Sequence, residues 1–339
     1  MVIQPIKGKI MNATKKILSI VLAGLAVGCL IAAGVIAYKD HQDAIRTEEQ
    51  FEEMRQAASE EKNAQDALSA ESHFAPNISP EASDEAAENS NASSTEAESS
   101  QQTQASDDTD AGSDGPDAGS DSTAAESSAQ ETDIQPEAIP NPYAESYLAN
   151  EDMAGWLSIP GTNIDYPIMW TPEDENYYLR RGFDKKSSTA GCLILDTDSC
   201  LNPLTTNLII HGHNMKAGTM FGHLADYKKE DFYKEHKDII LYTPECQRNY
   251  EVIAVFYSQV YKKTDEVFKF YKFFQADTEE EFLDFYDNIK KLSLYDTGVT
   301  AEFGDHFITL STCSYHVENG RFVVVAKETE PGDYYLPLE

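Results

Sequence analysis

"HFITLSTCSYHVENGRFVVVAK", residues 306–327, decides how the chain is read. Two apolar runs flank the polar "SYHVEN", and such runs bounded by turn residues read as two strands joined by a short return. The first strand ends in "STC" and the second opens with Arg321. A cysteine in such a place is commonly a small buried hydrophobe. A strand end held at a surface is also where a nucleophile stands. A hairpin-like return brings the Arg321 guanidinium near the Cys313 sulfur, where a permanent cation favours thiolate or holds a developing oxyanion. The plainer reading of Arg321 is a charge at a strand edge, which is ordinary.

Working outward, the same kind of run recurs. "AGWLSIPGTNIDYPIMW" reads as two short strands around a Pro-Gly turn. "GCLILDT", "NLIIHGH", "DIILYTP" and "YEVIAVFYSQVY" precede the final pair. About eight such runs in one domain predict a mainly β fold, a closed or nearly closed barrel. Two helical patterns interrupt it. "NPYAESYLANEDM" reads as a helix leading into the domain. "TEEEFLDFYDNIKKLSL", residues 278–294, is stronger: Thr278 with Glu281 makes a capping box, and Phe282, Phe285, Tyr286, Ile289 and Leu292 recur at helical spacing on one apolar face. That face reads as plain core packing.

The 339 residues carry a formal net charge of −33, unevenly placed. Residues 63–135 hold seventeen Asp and Glu and no Lys or Arg, amid Ser, Ala, Thr, Gln and Gly. Such a stretch buries too little apolar surface to offset the entropy of ordering, so a disordered, self-repelling, extended tether is expected. The acidity argues against nucleic acid as a partner, since phosphates need the opposite sign. Residues 17–38, "ILSIVLAGLAVGCLIAAGVIAY", run without a charge and are long enough to cross a hydrocarbon core of about 30 Å. Lys7, Lys9, Lys15 and Lys16 precede the run and no acid does, so the positive-inside rule puts residues 1–16 in the cytoplasm and the rest outside. A cleaved signal peptide is the rival; the length of the run and the poor cleavage site in "GVIAYKD" favour an uncleaved anchor. Residues 39–62 have helix-forming composition with sparse apolar positions and are expected to form a stalk helix outside the folded domain. The domain itself is expected over 136–339, enough for one core.

Five cysteines are present, Cys29 within the apolar run and Cys192, Cys200, Cys246 and Cys313 beyond it. An exported chain can pair four as two disulfides, but no spacing here assigns partners. "AGCLILD" reads Cys192 as a buried thiol in an apolar strand. In "NLIIHGHNM", His211 and His213 end a strand two residues apart, so alternation puts both on one face. An H-x-H pair can bind zinc, but His223, His236, His306 and His316 show no ligand spacing, and no metal is expected. The other reading is one catalytic histidine with a supporting neighbour, paired with a cysteine distant in sequence and adjacent in space.

"TLSTC" at 309–313, "HGHNM" at 211–215 and the arginine opening "RFVVVAK" resemble the sortases, the cysteine transpeptidases of Gram-positive cell surfaces. The likeness runs from about Tyr143 to Lys327 and includes "GWLSIPGTNIDYPI", "IIHGHNMKAGTMFGHL" and the late helix. That helix before the cysteine strand resembles the class B branch, as does the N-terminal anchor. A C-terminal membrane segment and an Asp-Pro-aromatic lid motif, marks of the pilin-polymerising class C branch, are not found. The long acidic stretch departs from the family and leaves the reach from the membrane open. The resemblance implies a closed eight-stranded barrel with an N-terminal helix and a long helix before the cysteine strand. It also implies catalytic roles for His213, Cys313 and Arg321. His211 stands where an aromatic residue is expected and is taken as supporting, with Asn214, Ser311 and Thr312 as further substrate-binding or supporting candidates; strand hydroxyls satisfied by backbone are the plainer reading of the last two.

The implied reaction is acyl transfer without metal or cofactor. Cys313 attacks the threonine carbonyl of a C-terminal sorting signal of LPxTG- or NPxTN-like form, and Arg321 holds the oxyanion. His213 protonates the leaving amine. An amine of a peptidoglycan precursor or cross-bridge then takes the acyl group. Thiolate and imidazolium acting together predict a bell-shaped pH profile. Rival functions are a non-catalytic binding module displayed on the same barrel, a pilus-related sortase, and an L,D-transpeptidase. The last resembles a different pattern, with His and Cys in one short motif.

Overall fold

The computed structural model describes residues 4–72, 138–330 and 332–338. All eight expected strands are present: β1 Met153–Ser158, β2 Asp165–Met169, β3 Leu193–Leu195, β4 Asn207–Gly212, β5 Asp238–Tyr242, β6 Gln247–Gln259, β7 Phe307–Cys313 and β8 Gly320–Glu328. They close into a barrel in the order β1-β2-β3-β4-β7-β8-β6-β5, with β5 pairing back onto β1. Closure removes the sheet edges that an open array leaves unpaired. Among the described residues the α-helices are α1 Gln4–Ser72, α2 Ala144–Ala149, α3 Glu230–Glu235 and α4 Glu279–Leu292.

Alternation along β7 explains how one strand serves two cores. Ile308 and Leu310 point inward and join Ile168, Leu193, Leu208, Ile210 and Val324 in the barrel's lumen. Phe307 points outward, into a second core with Val323 and Val325 beneath α4. There Phe282 stacks on Phe307 at 5.3 Å and Phe285 on Phe273 at 4.0 Å between ring centroids. Thr278 caps α4 as the sequence predicts: its hydroxyl accepts from the Glu281 amide, and the Glu281 carboxylate accepts from the Thr278 amide. Phe282, Phe285 and Ile289 form the buried face, whereas Leu292, expected on it, is 42% exposed because the helix ends there and the chain turns away at Ser293. The outer face of β7 and β8 is thus covered by α4 at one end. At the other end, with Cys313, it is open.

The predicted leading helix is shorter than its pattern. α2 stops at Asn150, whose extended backbone lets the side chain donate to Phe183 O at 2.8 Å and the Tyr178 hydroxyl at 2.9 Å. The larger correction concerns the stalk. Residues 39–62 belong to α1, a single helix of 69 residues whose outer part lies against the barrel. Phe51 and Ala58 are closed off from solvent, and Phe51 meets Tyr166 edge-on at 5.6 Å. Arg46 donates to Ser187 O at 2.8 Å, Arg55 to Asp165 O at 2.9 Å, Lys62 to the Tyr242 hydroxyl at 2.9 Å and Gln65 to Pro140 O at 2.9 Å. Burial of one phenylalanine is worth about 1.5–3 kcal/mol, enough with these bonds to hold the helix in place. Burial pushes the Lys62 ammonium below its ordinary pKa and the Asp165 carboxyl above its own. Of the expected tether, residues 63–72 continue α1 and 73–135 lie outside the described residues.

Among the described residues, the inner part of α1 is one helix apolar and long enough to cross a membrane. Leu22, Leu25, Leu30, Ile31, Val35 and Ile36 on it are all exposed. The five cysteines are free; Cys192 and Cys246 are buried, as the strand pattern predicts for Cys192.

Candidate active site

The open end of the β7–β8 face is built by register. β7 and β8 run antiparallel with Cys313 opposite Arg321, so their Cβ atoms stand about 4.5–5.5 Å apart. The return between them is tight, with Asn319 at φ +55° and the Ser314 amide bonded to Gly320 O. On the other side β4 runs parallel to β7, pairing His211 with Ser311 and Gly212 with Thr312. His213, just past the end of β4, and Cys313, the last residue of β7, come next in this register, on chains about 4.8 Å apart. The Asn214 side chain closes the gap by donating to Cys313 O at 2.8 Å. Gly212 between the histidines is demanded by packing, since a Cβ there would lie 2.5 Å from the Phe221 ring and 2.6 Å from Leu193.

His213, Cys313 and Arg321 all line one groove of about 390 Å³ on the outer face of the barrel. Its walls include Glu175, Asn176, Leu179, Ile194, Asp196 and His211. Cys313 is exposed at its strand end. The His213 Nε2–H donates to Leu179 O at 2.9 Å, which fixes the ring and leaves Nδ1 as the unbonded nitrogen. The Arg321 guanidinium donates to Gly320 O at 3.0 Å, and among the described residues no carboxylate pairs with it. A cation without an acid partner beside an exposed thiol is available to an incoming oxyanion.

The remaining candidates are sorted by their contacts. His211 Nε2 lies 3.1 Å from Asp196 Oδ2. Burial pushes the Asp196 carboxyl up, but the bonds from His211 and the Asp198 amide outweigh it and hold the group below the ordinary range. Thr312 donates to Gly212 O at 2.8 Å, so it ties β7 to β4. Ser311 Oγ is buried without a partner. A second thiol, Cys192, lines the same groove, but burial pushes its pKa up and keeps it protonated. The sequence reading missed Asp196 and the carbonyl of Leu179. Alternation held the first, since Ile194 pairs with His211 and Asp196 follows two residues on. Nothing in sequence points to a backbone carbonyl on the 3₁₀ turn Tyr177–Arg180.

A family model described as the sortase domain matches residues 157–329. Sortase B of Listeria monocytogenes is 34% identical over 180 residues, covering 52% of this chain and 70% of that protein. The chain belongs to the sortase family, on its class B branch. Sortase B of Staphylococcus aureus is 31% identical over the same length and shares. Among solved structures, a Staphylococcus aureus sortase B–substrate complex superposes with a TM-score of 0.51 at 27% identity, covering 57% of this chain and 87% of that one. Clostridium perfringens sortase B gives a TM-score of 0.50 at 29% identity, covering 55% and 98%. This sortase is a cysteine transpeptidase, of a family that acts on sorting-signal substrates and peptidoglycan, and its barrel is the family's barrel.

Proposed function

We propose that Cys313 is the nucleophile, His213 the acid and base, and Arg321 the oxyanion partner of a transpeptidase anchored by residues 17–38. The observation that carries this reading is the register of β4, β7 and β8, which brings the three side chains to one groove. A sorting signal of LPxTG- or NPxTN-like form lies extended along the groove. The Cys313 sulfur attacks the threonine carbonyl carbon, and the carbonyl oxygen takes the charge, which Arg321 receives. The peptide C–N bond breaks, and the leaving amine takes a proton from the His213 imidazolium. An amine of a peptidoglycan precursor or cross-bridge attacks the thioester, returns a proton to His213 and releases Cys313 as thiolate. Asn214 positions the cysteine through its carbonyl, and His211, Ser311 and Thr312 shape the groove wall.

The anchor reading rests on the exposed apolar stretch of α1 and the four lysines before it, which orient the N-terminus to the cytoplasm and the barrel outward. Cleavage of a sorting-signal peptide with hydroxylamine as acceptor tests the chemistry. The unaltered chain should yield the threonine hydroxamate, and Cys313→Ala should yield none. Equal product from both would end the proposal.

A further inference from the structure

The acidic stretch reads in sequence as the spacer between membrane and enzyme, but the contacts of α1 assign the spacing elsewhere. The apolar run ends at Tyr38. Two residues on, Asp40 O accepts from the Thr189 hydroxyl at 3.4 Å. Arg46 follows, bonded to Ser187 O at 2.8 Å and 3.7 Å from Asp184, and Thr47 donates to the Ser188 hydroxyl at 3.0 Å. At 1.5 Å per residue these contacts begin about 3 Å beyond the apolar run and reach about 13–14 Å beyond it. The headgroup layer outside the hydrocarbon is about 5–8 Å deep on each side. The Thr189 end of the Arg180–Thr189 loop therefore lies inside that layer, and its Asp184–Ser188 stretch stands just outside it. At the far end of the seam Gln65 donates to Pro140 O, so the chain departs after α1 and returns to the barrel at one place. Whatever lies between those points does not separate the barrel from the membrane.

Arg180, Lys185 and Lys186 are exposed on this loop, in a chain whose net charge is −33. Lys185 and Lys186 each hold an aspartate, Asp152 at 2.9 Å and Asp184 at 3.0 Å, and among the described residues Arg180 has no ion-pair partner. Lysine and arginine side chains are long enough to reach down from there to the headgroups, where they bond lipid phosphates. We infer that the Arg180–Thr189 loop rests on the phosphate-bearing headgroups of the membrane that α1 crosses, and that α1, not the acidic stretch, sets the height of the groove. The groove follows the loop down, because Leu179, whose carbonyl holds His213, adjoins Arg180. The inference rests on the anchor reading given above.

The test uses the full chain in vesicles of phosphatidylglycerol and phosphatidylcholine that carry a headgroup nitroxide. A fluorophore is placed at Lys186→Cys, or at Asp333→Cys near the Lys62 end of the seam, with Cys29, Cys200 and Cys313 replaced by serine. Quenching should be several-fold stronger at position 186 than at 333. A flexible ten-residue insertion after Lys39 should remove the difference, deletion of residues 74–135 should leave it, and Arg180→Glu should reduce it. Equal quenching at both positions in chains that float with the vesicles overturns the inference while sparing the anchor. A change on deleting 74–135 overturns it too. Chains that do not float with the vesicles overturn the anchor reading and the inference together.

Discussion

At the groove, Cys313 is exposed and the Arg321 guanidinium has only backbone carbonyls of its own turn to bond. Along the seam under α1, Phe51 and Ala58 are sealed, and Arg46, Arg55, Lys62 and Gln65 each find an acceptor on the barrel. The groove leaves donors open for a substrate and gains little stability from them. The seam satisfies its donors and offers nothing to a substrate. Substitutions of His213, Cys313 or Arg321 should therefore move rate without stability, and substitutions in the seam stability without rate.

The sharpest separation comes from His213→Ala. Loss of the proposed acid and base should lower transpeptidation on the order of a thousandfold with the melting temperature unchanged. Phe51→Ala should do the reverse, costing about 3–5 kcal/mol in denaturant unfolding while the turnover of the folded fraction holds. A melt identical to that of the unaltered chain would mean α1 is the detached stalk its composition suggests. Arg321→Ala should lower kcat about a hundredfold. Arg321→Lys keeps the charge but loses the planar fork, so it should recover only part of that rate.

The smallest effect is that of acid. Burial raises Asp152 and Asp184, but Tyr178 and Lys185 bonding to the first, and the Lys186 amide and ammonium to the second, hold both below the ordinary range, and Asp196 is held there by His211. Groups lowered on folding add stability that is complete above the unfolded value of about 3.9 and is lost as pH falls through the folded values. Asp165, raised by burial, works the other way, its contribution falling as pH rises through its folded value. Melting followed from pH 6 to pH 3 should show a decline confined to the acid end, and Asp196→Asn should make it shallower. An unchanged slope in that variant would show that the His211 contact contributes nothing to folding.

The two regions also differed in how much of them the sequence disclosed. The strands of the groove announce themselves by alternation: Ile308 and Leu310 face in, Phe307 and Cys313 face out. Cys313 and Arg321 lie eight residues apart, so their pairing follows from the hairpin. The approach of His213 needed the resemblance, because the parallel pairing of β4 with β7 spans a hundred residues and leaves no local mark. The seam was illegible for a different reason. Positions 43, 47, 51, 54, 58, 62 and 65 have helical spacing, but they read Asp, Thr, Phe, Met, Ala, Lys and Gln. Only Phe51, Met54 and Ala58 among them are apolar, Thr47 and Lys62 meet the hydroxyls of Ser188 and Tyr242 and Gln65 a backbone carbonyl, and Ile45, the most aliphatic residue nearby, is 38% exposed.

The central claim is that the acyl group passes through Cys313. Mass spectrometry of the full chain, quenched in acid during turnover of a sorting-signal peptide, tests it directly. The account predicts an adduct equal to the peptide's portion ending in threonine, located on the proteolytic fragment bearing Cys313 and released by hydroxylamine. An adduct on Cys200 or Cys246, or turnover with no covalent intermediate on any cysteine, would contradict it.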